Sequence, residues 1–129
     1  MAAVGAGRTA MRRTILEAQG AALQQPGDNA RFVAEVGAAV IEAIAAFGRR
    51  DWWRVIECLR PVRNRAHRFG GSHAQRDLID LTLIEAAIRS GRQMLAMGLT
   101  AERTARRPTS PLSQLFASRS RATALARAA

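Results

Sequence analysis

The chain has 129 residues, 48% of them apolar, which is enough to bury one core but not two. Twenty basic residues against ten acidic ones give a formal charge of +10, and all twenty are arginine. No run approaches the roughly 18 uncharged apolar residues of a membrane span, and the lone cysteine, Cys58, excludes an internal disulfide or a zinc cage and points to a reducing compartment.

Residues 1–27 read as an N-terminal helix, a remnant of a preceding repeat. Arg8, Arg12 and Arg13 interrupt any secretory apolar run, and the lack of serine before Ser72 together with Glu17 argues against a mitochondrial leader, so a cytoplasmic location is expected. Pro26-Gly27-Asp28 breaks the chain, with Asp28 placed to cap a helix whose apolar stripe is Phe32, Val36, Val40, Ile44 and Phe47. After Gly48, Asp51 caps a second helix carrying Trp52, Val55, Leu59, Val62, Ala66 and Phe69. Gly70 and Gly71 form the third break, where Gly70 suits a left-handed helix end. Ser72-His73-Ala74-Gln75 then has the form of a capping box, Ser72 and Gln75 exchanging bonds with each other's backbone N–H. The following helix has a broad stripe (Leu78, Leu81, Ile84 and Ile88, widened by Ile79 and Leu83) that suits packing on two sides. Gly91 ends it. Met94, Leu95, Met97 and Leu99 carry the next helix, and Ser110-Pro111 opens a last one with Leu112, Leu115, Phe116 and Leu125. No segment alternates with the period of a strand. The expected class is all-α, with about six helices.

Successive short helices raise the question of repeats. In the tetratricopeptide pattern, a helix pair of roughly 34 residues, a glycine, an alanine and a proline recur at fixed intervals, and Gly91, Ala96 and Pro108 reproduce them. Setting Arg50 against Gly91 gives a period of 41 residues. The excess is close to two helical turns, which a longer second helix from Trp52 to about Phe69 would absorb without rotating its apolar face. The chain therefore reads as antiparallel helix pairs of a TPR-like α-solenoid: an N-terminal helix (1–27), two helix pairs (28–71 and 72–109), and a C-terminal capping helix and tail (110–129).

The run Gly70-Gly71-Ser72-His73-Ala74-Gln75-Arg76-Asp77 resembles a motif near the carboxyl end of the tetratricopeptide repeat protein 38 family. Leu59-Arg60-Pro61, Leu83-Ile84-Glu85-Ala86-Ala87, Ala101-Glu102-Arg103 and Arg107-Pro108-Thr109-Ser110-Pro111 resemble further family anchors in the same order, and together they cover roughly residues 28–115. Trp52 stands for the family's usual tyrosine, Arg50 for a common glycine, and Met94, Met97 and Gly98 interrupt an Ala/Leu-rich helix. The resemblance implies the carboxyl-terminal portion of a longer solenoid, a fragment whose first two helices would show an apolar face open to self-association.

The Gly-Gly-Ser motif has two readings. Structurally, Gly70 and Gly71 make a tight turn, Ser72 and Gln75 cap, and Asp77 pairs with an arginine. Functionally, free N–H groups at the helix start, with His73 and Arg76 one turn apart, would hold a phosphate or a peptide carboxylate. Trp52 and Trp53 diverge by about 100° on a helix, so one belongs to the core and the other, Trp53, is a candidate partner contact. His73, Asp77 and Asp80 share a face but lack a fourth metal ligand, His67 suits a helix end, and Cys58 reads as a packing residue. The arginines cluster as Arg49, Arg50 and Arg54; Arg60, Arg63, Arg65 and Arg68; and Arg103, Arg106 and Arg107. They suggest nucleic acid or another polyanion as an alternative partner, although an arginine-only count also reflects base composition. No catalytic triad, phosphate loop or carboxylate pair stands out. The expected function is a non-enzymatic protein-interaction or scaffold module, with a protein or peptide ligand and no cofactor, metal or membrane.

Overall fold

The helical periods and caps are realised in a computed structural model that describes residues 9–66 and 73–128. Among these residues there are six helices and no strand: α1 (Thr9–Leu23), α2 (28–48), α3 (Trp52–Val62), α4 (His73–Arg89), α5 (Gln93–Arg106) and α6 (Pro111–Ala128). Helix α2 is composite. Asp28–Phe32 and Ala38–Gly48 are α-helical, and Val33–Gly37 between them is a π-helical stretch. Its cap position is Gly27 rather than Asp28: Gly27 lies at φ 125° and its carbonyl accepts from the Arg31 amide at 3.3 Å.

Two other caps form as their residue types dictate. The Asp51 carboxylate accepts from the Arg54 backbone N–H at 3.1 Å, and the Ser110 hydroxyl accepts from Ser113 N–H at 3.4 Å with Pro111 in the first helical position. The Ser72–Gln75 box and the expected turns at Gly70 and Gly71 lie outside the described residues and side chains, as does His67.

The connections α2–α3 and α4–α5 are built alike. In the first, Ala46 O accepts from Asp51 N–H at 2.9 Å and Phe47 O from Arg50 N–H at 3.1 Å. In the second, Ala87 O accepts from Arg92 N–H at 3.0 Å and Ile88 O from Gly91 N–H at 3.1 Å. Each is a left-handed helix end with the closing bonds of a Schellman motif, and the left-handed residues are Arg50 (φ 62°) and Gly91 (φ 69°). Every one of these positions is offset by 41 residues from its counterpart. Burial follows the same offset: Ala43, Ala45 and Ala46 match Ile84, Ala86 and Ala87, and Val55, Leu59 and Val62 match Ala96, Thr100 and Arg103. The same helix hairpin occurs twice.

Helix α3 stops at Val62, short of the expected Phe69. Pro61 in its last turn has no N–H to continue the ladder and its ring crowds the carbonyl four residues back, so the chain tightens into turns, with Arg65 N–H bonded to Val62 O at 2.9 Å.

Each helix packs on its neighbours in the chain, and α4 also packs on α6. The core gathers Val55, Ile56 and Leu59 of α3, Leu83, Ile84, Ala86 and Ala87 of α4, Leu99 of α5 and Phe116 of α6. Alanines at the α2 and α4 contacts let helices approach closely. Helix α4 is buried on two sides toward its C-terminal end, as its broad stripe requires, but Leu78 at its start is exposed.

The last two helices differ most from the expected stripes. In α5 the buried face is Ala96, Leu99, Thr100 and Arg103, while Met94 and Met97 face outward. In α6 it is Ser113, Phe116 and Ser120, while Leu112, Leu115 and Leu125 are exposed. Thr100 can be buried because its hydroxyl donates to Ala96 O at 2.8 Å, and Arg103 because a carboxylate meets it. The serines are small enough for α6 to lie close to its neighbours. Helix α1 leaves Ile15, Leu16 and Leu23 exposed. Among the described residues no helix is long and apolar enough to cross a membrane.

Candidate binding clefts around an arginine–carboxylate network

Helices α4 and α5 each place two like charges one turn apart: Asp77 and Asp80 on α4, Arg103 and Arg106 on α5. Their hairpin brings the two sets together. Arg103 forms a two-pronged pair with Asp77, Nη1 to Oδ1 and Nη2 to Oδ2, the latter at 3.1 Å. Its side chain is only 4% exposed. Arg106 reaches Asp80 at 3.2 Å, and Arg63 from the end of α3 bridges Asp80 at 3.0 Å and Glu102 at 2.9 Å. Arg107 adds a contact to Asp77 at 3.5 Å. The Arg103 hydrogen bond, helped by the charges of Arg107 and Arg106, holds the Asp77 carboxyl below the usual carboxylate range despite its burial. A second clamp joins α4 to α6, where Arg119 donates to both oxygens of Glu85 at 2.6 and 3.1 Å and lowers that carboxyl too.

These pairs account for most of the arginine clusters. Arg49 and Arg54 both face Glu42, at 3.3 and 3.7 Å, and Arg54 also meets Glu57. Arg63, Arg103, Arg106 and Arg107 are committed within the network. Partners between 17 and 39 residues away in the chain are invisible to a local reading of charge.

Two clefts flank the network and share Arg63. One, of about 490 Å³, runs between the start of α4 and the end of α5 and is lined by His73, Arg76, Asp77, Arg103, Arg106 and Arg107 among others. Here the candidates His73 and Arg76 meet: Arg76 Nη2 donates to His73 Nδ1 at 3.0 Å, which requires that Nδ1 carry no proton. Arg76 has no carboxylate partner among the described residues. The other, a more open groove of about 640 Å³, is lined by Met94, Leu95, Gly98 and Leu99 together with Arg60, Arg63 and Arg92.

The third candidate, Trp53, is 46% exposed and carries the Arg92 guanidinium 3.5 Å above its ring. It therefore stands at the rim of the groove through Arg92. Trp52 turns inward, edge-on to Phe47 with ring centres 5.1 Å apart. Gly70, Gly71 and Ser72 lie outside the described residues, and the Gln75 side chain is likewise undescribed.

The carboxylates considered for a metal, Asp77 and Asp80, are engaged by guanidinium groups, and among the described residues no group of three or more His, Cys, Asp and Glu is placed to hold a metal ion. Cys58 is half-buried, and burial pushes its thiol pKa up, away from nucleophilic use. The groove residues Met94, Leu95, Gly98 and Leu99 were not among the sequence candidates. The signal that could have found them is the interruption of an Ala/Leu-rich helix by Met94, Met97 and Gly98. No protein-family model matches the chain, and no solved structure matches it.

Proposed function

We propose that the chain is a non-enzymatic helical-repeat module of TPR-like plan that binds a protein or peptide partner, related to the tetratricopeptide repeat protein 38 family and suited by its single cysteine to the reducing cytoplasm. The duplicated hairpin supports the repeat plan, since stacked copies of one helix pair are what a solenoid consists of.

The observation that carries the binding role is the groove beside α5. Met94 is 83% exposed and lines the groove beside Leu95, Gly98 and Leu99, a flexible, polarizable surface that suits an apolar ligand. Three arginines and one glutamate, Glu102, edge it, so the fitting occupant is a segment with an apolar ridge and acidic flanks. Among the described residues ten of the twenty arginines pair with carboxylates of the chain, which favours such a partner over nucleic acid.

The test is fluorescence polarisation with acidic amphipathic peptides selected by display against the intact chain. Met94→Glu places a like charge against the acidic ligand and removes apolar contact, and it is expected to weaken binding at least tenfold. Equal binding by wild type and Met94→Glu would overturn the assignment of the groove.

A further inference from the structure

We propose that copies of this chain stack end to end, the outer face of α6 on one copy seating α1 of the next. Within the chain the helices are of two kinds. Helices α2 and α4 open a hairpin, α3 and α5 close it, and the two hairpins are offset by 41 residues. The same offset runs on in both directions. Helix α1 spans the positions 41 residues before α3, and α6 covers most of those 41 residues after α4. Packing agrees, since α1 lies on α2 as α3 lies on α4 and α5 on α6. Among the described residues, then, α1 is a closing helix with no opening helix before it, and α6 is an opening helix with no closing helix after it.

The faces left open are those that the hairpins bury. Ala43 and Ile84 are each 1% exposed, whereas Leu125, at the same register position of α6, is 73% exposed. Ile56 is 4% exposed and its α1 counterpart Ile15 is 40% exposed; Ala18 and Ala21 are likewise exposed where Leu59 and Val62 are buried. Helix α6 is moreover inverted. It buries Ser113, Phe116 and Ser120, and turns outward an uncharged stripe at helical spacing, Leu115, Ser118, Ala122 and Leu125. The register names the occupant of that stripe, a closing helix, and α1 of a second copy is such a helix with its own apolar face open. The join continues the alternation of opening and closing helices without a break and repeats the contact between α4 and α5. Because it unites two different surfaces, each added copy leaves one of each free, and the stack propagates. The inference rests on the 41-residue repeat and not on the groove beside α5, so a chain that binds no acidic peptide still assembles.

The experiment is sedimentation velocity of the intact chain over a hundredfold range of protein concentration. Wild type is expected to grow past the dimer as concentration rises. Both end helices carry excess positive charge, Arg12 and Arg13 against Glu17 in α1 and Arg119, Arg121 and Arg127 in α6, so added sodium chloride is expected to strengthen the association by screening. Ile15→Arg and Leu125→Arg each put a further like charge into the contact and are expected to weaken assembly at least tenfold. Mixed in equal amounts, the two variants retain one intact α6 face and one intact α1 face between them, and are expected to form a dimer that grows no further. Leu78→Arg, at an exposed leucine on α4 away from both ends, is expected to assemble as wild type does. The three positions are exposed, and circular dichroism confirms that each variant keeps its helices. A wild-type chain monomeric throughout, dimers formed by either end variant alone, no dimer in the mixture, or an association that salt weakens would overturn the proposal.

Discussion

Asp77→Asn removes the anion that makes a buried guanidinium tolerable at position 103. The Arg103 side chain is 4% exposed and that of Asp77 17%, so the substitution strands a charge in a place with little water. Breaking a buried pair by deleting one partner costs about 3–5 kcal/mol, and the 3.5 Å contact from Arg107 to the same carboxylate is lost with it. For a chain of this size the total folding free energy is roughly 5–15 kcal/mol, so the variant loses a large fraction of its stability. Replacing both partners, as Asp77→Leu with Arg103→Met, trades the pair for apolar packing and is expected to recover most of the loss. Urea unfolding followed by circular dichroism measures all three variants, and the double-mutant cycle isolates the coupling. The same pair sets a pH dependence. Because the folded-state carboxyl lies below its unfolded value, its contribution is complete above about pH 4, the unfolded value, and is lost as the pH falls through the depressed folded value. A cost below 1 kcal/mol for Asp77→Asn, or a double variant no better than the single, would refute the reasoning.

Two further substitutions test the local structure. Arg50 holds a left-handed conformation at φ 62°, where its 41-residue counterpart is Gly91, so Arg50→Gly is expected to raise stability by about 1 kcal/mol in the same urea titration. Ser120 is 2% exposed with a hydroxyl that has no hydrogen-bond partner, and Ser120→Ala is expected to stabilise by roughly 1 kcal/mol, with a higher thermal midpoint.

The helices, the Asp51 and Ser110 caps and the left-handed turn at Gly91 are legible in the sequence because each depends on residues within a few positions of one another, and the 41-residue register is legible because Arg50 and Gly91 end their helices in corresponding positions. Helix α3 carries its stripe as written, since Val55, Leu59 and Val62 are both apolar and buried. Helices α5 and α6 do not. Their core faces include Thr100, Arg103, Ser113 and Ser120, which hydropathy assigns to solvent. Arg103 is buried because Asp77, 26 residues earlier, neutralises it, and no local pattern contains that information. The same distance hides the fate of the arginine clusters, which read as a free basic surface and are instead largely paired. His73 and Arg76 were visible as a pair one turn apart. What makes their surroundings a cleft is the end of α5, which tertiary packing brings beside them. Met94 reads as core by its spacing and is exposed because Ala96 and Leu99 take the buried side of the helix.

The proposed ligand-binding groove beside α5 is open to test through the methionine ε-methyl resonances. Of the four methionines, Met94 stands on the groove and Met97 is on the same helix, while Met1 and Met11 belong to the N-terminal segment. On titration with a selected acidic amphipathic peptide, the Met94 methyl should shift most, followed by Met97, with Met1 and Met11 unmoved. Shifts concentrated at Met1 and Met11, or a Met94 signal that stays in place while the peptide binds, would contradict the account.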